Sequence, residues 1–309
     1  MIVSAGLSPA RQQILLFGHF TPGEVNRAKH AHWCASGKVL NVGIALAHLK
    51  AEAVMIAPVG GPAAGPIKDE FVAHGGRQAW IEVTSRTRVC TTLIDQSSGE
   101  TTELVEEAGP LAADEIARFE SSCAEQLAGA RVAVFSGSIP AGTPPNLYAR
   151  LLANSQAAAI LDIRGPELAL ALGRRPLMVK PNRQELAQFV GRQIDSDAEL
   201  CAAMAELNDR GAEWVVISNG RHDVWARDGH DVYRVRPPVI EAVNPIGSGD
   251  CLAAAMAWQI DQGAPVLDAL RAGIAAASLN AAQLLPARLD RAEVLALAEQ
   301  IVVEQVARF

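Results

Sequence analysis

The chain has no excess of positive charge. Its 309 residues carry 27 Lys and Arg against 34 Asp and Glu, a net charge of −7. A general nucleic-acid binder needs a basic surface to meet phosphates, so that class is disfavoured, while a local basic pocket for a small anion is not. Cysteines are scarce and unpatterned. Cys34, Cys90, Cys123, Cys201 and Cys251 are odd in number, far apart and form no C-x-x-C. That argues against a disulfide framework or a zinc site, and for small buried apolar side chains in a reducing cytoplasm. The opening MIVSAGLSPARQQ lacks a basic region followed by an apolar core, so no secretory leader is expected. No run reaches the ~20 uninterrupted apolar residues of a membrane span. The Ala-rich 272–285 comes nearest and is broken by Ser278, Asn280 and Gln283. The seven histidines form no H-E-x-x-H, and His30 and His32 lie in a loop-like stretch. No serine sits in a G-x-S-x-G elbow. Internal repeats and low-complexity linkers are also missing.

What is present is apolar material in short alternating blocks. Half of the residues are hydrophobic and 20% are charged, enough to bury a large core. Length alone allows one large domain or two ordinary ones. Strand-like runs at 1–5, 53–57, 131–136, 158–162, 177–180 and 214–218 each end in Gly, Pro, Asn or Ser. Helical patterns lie between them at about 38–49, 66–74, 111–127, 144–154, 183–190 and 197–210. Such alternation predicts an α/β fold, a doubly wound, mostly parallel sheet flanked by helices. The C-terminal third reads as helical at about 249–261, 265–285 and 290–306, Ala-rich enough for close packing. Two segments, 12–20 and 86–106, are strand-like without neighbouring helices, and Ser97-Ser98-Gly99 marks a hairpin. They form either a small inserted β-sheet acting as a lid or an antiparallel edge of the main sheet.

Three segments carry candidate chemistry. In Asn244-Pro245-Ile246-Gly247-Ser248-Gly249-Asp250, Gly247 and Gly249 let the backbone turn and expose successive N–H groups ahead of a helix. The helix start adds unpaired donors and partial positive charge, which suits a phosphate or a developing oxyanion. Asp250 at its mouth can accept a proton from a hydroxyl, although for Gly-Ser-Gly-Asp taken alone an ordinary Gly turn with Asp as helix N-cap is by far the commoner reading. In Ser36-Gly37-Lys38-Val39, no Gly stands five residues before Gly37 and Val39 replaces the required Ser or Thr, so this is not a P-loop. Lys38 can still hold a phosphate as a point charge, and Asn41, one turn on, can bond a sugar hydroxyl. In Lys180-Pro181-Asn182-Arg183-Gln184-Glu185, Asn182 and Glu185 have capping-box spacing after a strand. At a strand C-terminus they could also hold a metal–nucleotide through water, near Ser218-Asn219-Gly220 at another strand end.

Taken together, these segments resemble the ribokinase-like carbohydrate kinases of the phosphofructokinase-B type, nearest the 1-phosphofructokinase and tagatose-6-phosphate kinase branch. The matches run from near residue 8 to about 285. They are Pro9-Ala10, Gly23 to Arg27, Ser36-Gly37-Lys38 with Asn41-Val42, Thr87 to Cys90, Glu103 to Pro110, Ser136 to Pro140, Lys180 to Asn182 with Glu185, and Asn244 to Asp250. Each is weak alone; eight in order are specific. The resemblance implies one ribokinase-like kinase domain over 1–309, with a lid sheet from about 11–28 and 86–107. It further implies phosphoryl transfer from ATP, with Mg2+, to a hydroxyl of a sugar or sugar phosphate.

By the same resemblance Asp250 is the base, and Gly247, Ser248 and Gly249 form the anion hole. Gln12, Arg27, Gly37, Lys38, Asn41, Arg88 and Ser138 fall at substrate positions. Lys180, Asn182, Glu185, Ser218, Asn219, Gly220 and Asn280 fall at ATP positions, and Asn182 and Glu185 organise the metal indirectly. A cytoplasmic homodimer paired through the lid is implied, with neither nucleic acid nor membrane as partner. Two departures fall on the sugar side. Gln12 stands where the family carries an Asp that grips sugar hydroxyls, and Val39 replaces a Gly, bringing a branched side chain beside the substrate. They leave open a kinase of a different sugar or polyol, or a non-catalytic sensor of sugar phosphate or ATP. Retention of Asp250 behind its Gly-Ser-Gly favours the enzyme.

Overall fold

Short Val-, Ile- and Ala-rich runs that stop at a polar residue become the strands of the main sheet. In the computed structural model, which describes residues 1–308, the chain opens with β1 (Ile2–Ala5), β2 (Ala10–Phe17) and β3 (His30–Ser36). Next come α1 (Lys38–His48), β4 (Ala53–Val59), α2 (Ala64–Ala73) and β5 (Arg77–Glu82). A pair of strands follows, β6 (Arg88–Asp95) and β7 (Thr101–Val105). The alternating middle consists of α3 (Ala113–Leu127), β8 (Val132–Ser136), α4 (Leu147–Ala153), β9 (Ala158–Asp162) and α5 (Gly165–Leu172). It continues through β10 (Met178–Val179), α6 (Arg183–Val190), α7 (Asp197–Asp209) and β11 (Trp214–Ile217). The last third holds the hairpin β12 (Val224–Arg227) and β13 (Asp231–Val235). It closes with helices α8 (Ser248–Asp261), α9 (Val266–Ala281) and α10 (Arg291–Ala298), and strand β14 (Val303–Arg308).

The main sheet has the order β14-β13-β12-β11-β10-β9-β8-β1-β4-β5. Strands β5 to β11 in that row are parallel, and β12, β13 and β14 add an antiparallel edge. Helices cover both faces. One core packs α1, α8 and α9 on the sheet through residues such as Leu40, Ile44, Leu252 and Ile274. The other gathers Phe119, Phe135, Tyr148 and Leu207 on the opposite face. From β1 the chain builds toward β4 and β5 on one side and toward β8 and β9 on the other. That reversal opens a crevice at the strand C-termini, the usual ligand position in such sheets.

The strand-like segments that lacked helices form a separate four-stranded sheet of order β3-β2-β6-β7, not an edge of the main one. Its strands span 10–17, 30–36, 88–95 and 101–105, so His30 and His32 lie on a strand rather than in a loop. The expected helix 290–306 is also corrected. α10 ends at Ala298, and Val303–Arg308 pairs antiparallel with β13. Val302-Val303 and Val306 suit a half-buried strand, and Ala and Glu nearby had made the stretch read as helix. Alanine in α8 and α9 serves close approach. A Cβ on Gly273 would lie 2.7 Å from Met256 Cγ and 3.0 Å from the Leu252 carbonyl oxygen.

Candidate active site

Helix α8 starts at the turn the sequence singles out. Gly247 is its N-cap with φ 85°, a left-handed conformation that glycine adopts without steric cost. A Cβ there would lie 2.9 Å from Pro286 Cβ and 3.3 Å from Asn41 Nδ2. The first intrahelical bond runs from the Cys251 N–H to the Gly247 carbonyl at 2.9 Å. The N–H groups of Gly249 and Asp250 therefore lie at the open helix mouth, where the backbone dipoles favour an anion. Behind the turn, Asn244 Nδ2 donates to the Leu284 carbonyl at 2.8 Å and its Oδ1 accepts from Ile246 N at 3.1 Å.

Asp250 is buried and accepts a bond from Asn41 Nδ2 at 2.7 Å. Burial, then the neighbouring Asp162 carboxylate, pushes its pKa up to about 7. Asp162 ends β9 and is itself 2% exposed. Lys38 Nζ donates to its Oδ1 at 2.7 Å, and Lys180 Nζ lies 3.2 Å from its Oδ2. Burial opposes the Asp162 charge, but Lys180 and Lys38 overcome it and hold its pKa below the usual carboxylate range. Lys38 is held charged by Asp162 and Glu185 against the same burial. Two carboxylates and two ammonium groups thus meet at the mouth of α8, and the carboxylate beside the anion turn is the one that stays protonated longest. Asp162 was not singled out in the sequence. Its signal was a lone acid ending the apolar run AAILD, at a strand C-terminus.

Asn182 caps α6 in the expected capping box, its Oδ1 accepting from Glu185 N at 2.8 Å while Glu185 Oε2 accepts from Asn182 N at 2.9 Å. The second Glu185 oxygen, Oε1, faces Lys38 Nζ at 3.8 Å. Asn182 also bridges to Ser218 at the end of β11, and Arg183 N donates to the Ser218 carbonyl at 3.0 Å. Ser218 and Asn219 are half-buried and Gly220 is exposed, so this group does line one strand end. Asn280 differs from expectation. It is fully buried, donating to the Ile246 carbonyl at 2.9 Å and Ser248 Oγ at 3.0 Å and accepting from Ala287 N at 2.7 Å. Its polar atoms are spent on bracing the anion turn rather than facing a nucleotide.

The residues expected at substrate positions are less gathered. Arg88 Nη2 donates to the Ser8 carbonyl at 3.0 Å, and Ser138 Oγ lies 3.4 Å from Ser8 Oγ. A Cβ on Gly137 would lie 2.8 Å from Ser8 Oγ and 3.8 Å from Lys38 Cβ, so Ser8 brings Arg88, Ser138 and Lys38 to one place. Arg88 Nε is buried without a partner there. Arg27 stays exposed between β2 and β3. Gly37, with φ 88°, lets α1 start against the lid root, since a Cβ would lie 2.9 Å from Ala10 N and Ser8 O. Gln12 is 2% exposed and donates to Thr92 Oγ1 at 2.6 Å. Val39, expected to bring a branched side chain beside the substrate, is 1% exposed. It is buried in the core, and a Cβ on Gly6 would meet its Cβ at 2.9 Å. A cavity of about 390 Å³ opens beside Ser138, reaching Arg164, Pro166, Glu185 and Phe189.

The family profile described as pfkB family carbohydrate kinase matches residues 3–288. The chain belongs to the PfkB family of carbohydrate kinases. It is 30% identical to the tagatose-6-phosphate kinase of Staphylococcus epidermidis over 263 residues, 83% of this chain and 84% of that one. Phosphofructokinase-2 of Escherichia coli, solved with substrates and products, superposes with a TM-score of 0.88 at 26% identity, covering 97% of this chain and 98% of that one. A possible 1-phosphofructokinase of Thermotoga maritima shares the fold at TM-score 0.87 and 20% identity, covering 99% and 100%. As a PfkB kinase the chain is a phosphotransferase with a ribokinase-like fold. Kinases of this family use ATP together with metal ions. None of the described helices is long and apolar enough to cross a membrane.

Proposed function

We propose that this PfkB kinase transfers the γ-phosphoryl group of ATP to a hydroxyl of a sugar phosphate, with tagatose 6-phosphate or fructose 1-phosphate as the reference acceptors. Asp250 is the base. The observation that carries this reading is the buried Asp250 carboxylate, bonded to Asn41 at 2.7 Å, at the mouth of the Gly247–Gly249 turn. The acceptor hydroxyl gives its proton to Asp250 as its oxygen bonds to the γ-phosphorus. The bond from that phosphorus to the bridging oxygen breaks, and ADP leaves with the electron pair. Such transfers depend on positioning and charge neutralisation, which the helix mouth, Lys38 and Lys180 supply. A pKa of about 7 matches a base that must be ionised before transfer and protonated after it.

Mg2+ is the metal we assign. It favours oxygen donors, few protein ligands and the phosphates of the nucleotide. Glu185, whose Oε1 is outside the capping box, and Asn182 would hold it through water. When bound, the ion would neutralise phosphate charge. Lys180, Ser218, Asn219 and Gly220 complete the nucleotide side in this reading. Arg88, Ser138 and Lys38 receive the acceptor's phosphate, and Arg27 joins them when the lid moves.

A second acceptor class is supported by one observation. Gln12 offers a neutral amide already bonded to Thr92, where the resemblance leads one to expect an ionised carboxylate. A sugar of different stereochemistry or oxidation state suits an amide better than a ketohexose phosphate does. We also assign a homodimer through the outer lid, where Trp33, Leu104 and Val105 are exposed, and a cytoplasmic location consistent with five free cysteines. The test is a coupled assay of ADP release across phosphorylated and free hexoses. Turnover confined to unphosphorylated sugars would overturn the sugar-phosphate assignment.

A further inference from the structure

Glu70 lies on α2, outside the site just described, and carries three bonds to two different parts of it. Its Oε2 accepts from Ala35 N at 2.7 Å and from Arg11 Nη1 at 2.9 Å. Its Oε1 accepts from Arg288 Nη2 at 2.7 Å. Arg11 and Ala35 face each other across β2 and β3 at the root of the lid. β3 is an edge strand, so the outward Ala35 N–H has no strand partner, and the carboxylate supplies one. The side chains of Arg11, Glu70 and Arg288 are each about one-fifth exposed, which keeps these charge-assisted bonds from full screening.

Each branch continues to the anion turn. On the lid branch, Ser36 follows Ala35; its Oγ donates to Asn41 Oδ1 at 3.1 Å, and Asn41 donates to Asp250. On the other branch, Arg288 follows Ala287, whose N–H holds Asn280, and Asn280 holds Ile246 and Ser248. We propose that Glu70 is a positioning residue that fixes the lid root and the anion turn in one register, so that lid placement and alignment of the base are set by the same carboxylate. Arg11, which lies on β2 at the lid root and outside the Ser36–Asn41 chain, governs acceptor binding. The branch through Arg288 governs transfer.

The proposal uses the sugar-phosphate reading only to choose a probe, tagatose 6-phosphate with ATP. Losing one charge-assisted bond is expected to change a kinetic constant by about tenfold or more. Arg11→Ala should raise KM for tagatose 6-phosphate and leave kcat near wild type. Arg288→Ala should lower kcat and leave that KM near wild type. Glu70→Gln should do both, and adding either Arg variant to it should change little further. Hydrogen exchange without sugar gives an independent readout. Arg11→Ala should speed exchange in 30–36 only, Arg288→Ala in 244–250 only, and Glu70→Gln in both. A merely structural role would lower the unfolding temperature of all three and leave kcat, KM and the exchange pattern unsplit, which overturns the proposal. If wild type does not turn over tagatose 6-phosphate, the acceptor assignment has failed, and the exchange pattern of the two single Arg variants decides this inference by itself. Wild-type exchange in both segments would sink it.

Discussion

The two sides of the crevice are built by different rules. On the side we assign to phosphoryl transfer, the turn at 244–250 is braced by buried amides: Asn244, Asn280 and Asn41 spend their polar atoms on the turn or on Asp250. On the side we assign to the acceptor, several of the groups belong to another sheet. Gln12 and Arg88 sit on β2 and β6, Arg27 is exposed between strands, and Ser8 links Arg88 to Ser138, which follows β8 of the main sheet. A site half fixed in the main core and half hung on a small sheet can keep its reaction while its acceptor changes. Bracing costs nothing when the chemistry is constant, and a separate sheet can change side chains without disturbing the core.

The sharpest way to break that contrast is at Asp250. Asp250→Asn keeps size and loses basicity, and kcat should fall about 10²–10⁴-fold with ATP binding little changed. Steady-state turnover and nucleotide titration check it; near-normal turnover would remove Asp250 from its role.

Next comes pH. If Asp250 is the base, its carboxyl, pushed up to about 7 by burial and by Asp162, must be ionised to act, so kcat/KM should fall as pH drops below about 7. Asp162→Asn removes one of the two causes that raise it and should move that acid limb to lower pH. The sign for stability is opposite to the common carboxylate case. Because the folded value lies above the unfolded one, the protonated fold is favoured, and that contribution is lost as pH rises through about 7. Thermal unfolding should therefore show Asp250→Asn gaining on wild type at pH 8 relative to pH 5.

A smaller effect is expected at Lys38, which is bonded to Asp162 and faces Glu185. Lys38→Ala should raise KM for a sugar phosphate by about tenfold, the loss of one charge-assisted bond, with KM for ATP nearly unchanged. An equal rise in both constants would place Lys38 on the nucleotide side instead. The smallest change is expected at Gln12. Gln12→Asp should shift preference toward ketohexose phosphates by about a few-fold, since the new carboxylate must first leave Thr92. A panel of kcat/KM values with no change in ranking would show that this position does not choose the acceptor.

Much of the braced side was legible in the sequence because its signals are local. Gly247 and Gly249 before an apolar helical run, or Asn182 with Glu185 three residues on, state their geometry within a few residues. The parallel strands were legible for the same reason, each being a short apolar run with a polar stop. What escaped depends on distance along the chain. Asp162 meets Lys38 across 124 residues, and Glu70 meets Arg288 across 218. Val39 reads as a neighbour of the substrate until Gly6 is seen beside it. β5 and β14 lack clear alternation, and pairing with β4 and β13 makes them strands. The lid was legible as strands without helices, and only the register of β2 with β6 made it a separate sheet.

The contact of α8 with α9 has a bearing on which variants of this chain survive. α8 carries Asp250, the proposed base, in its first turn, and ten of its 14 residues are buried. It approaches α9 so closely that Gly273 has no room for a methyl group. Any side chain added along that seam, even three turns from Asp250, pushes on a rigid rod whose far end is the Asp250 carboxylate. In a saturation library scored by growth on the sugar, the band of intolerance should therefore follow the whole seam, Gly273 and the alanines of α8 included. Positions that never touch a ligand would then score like catalytic ones.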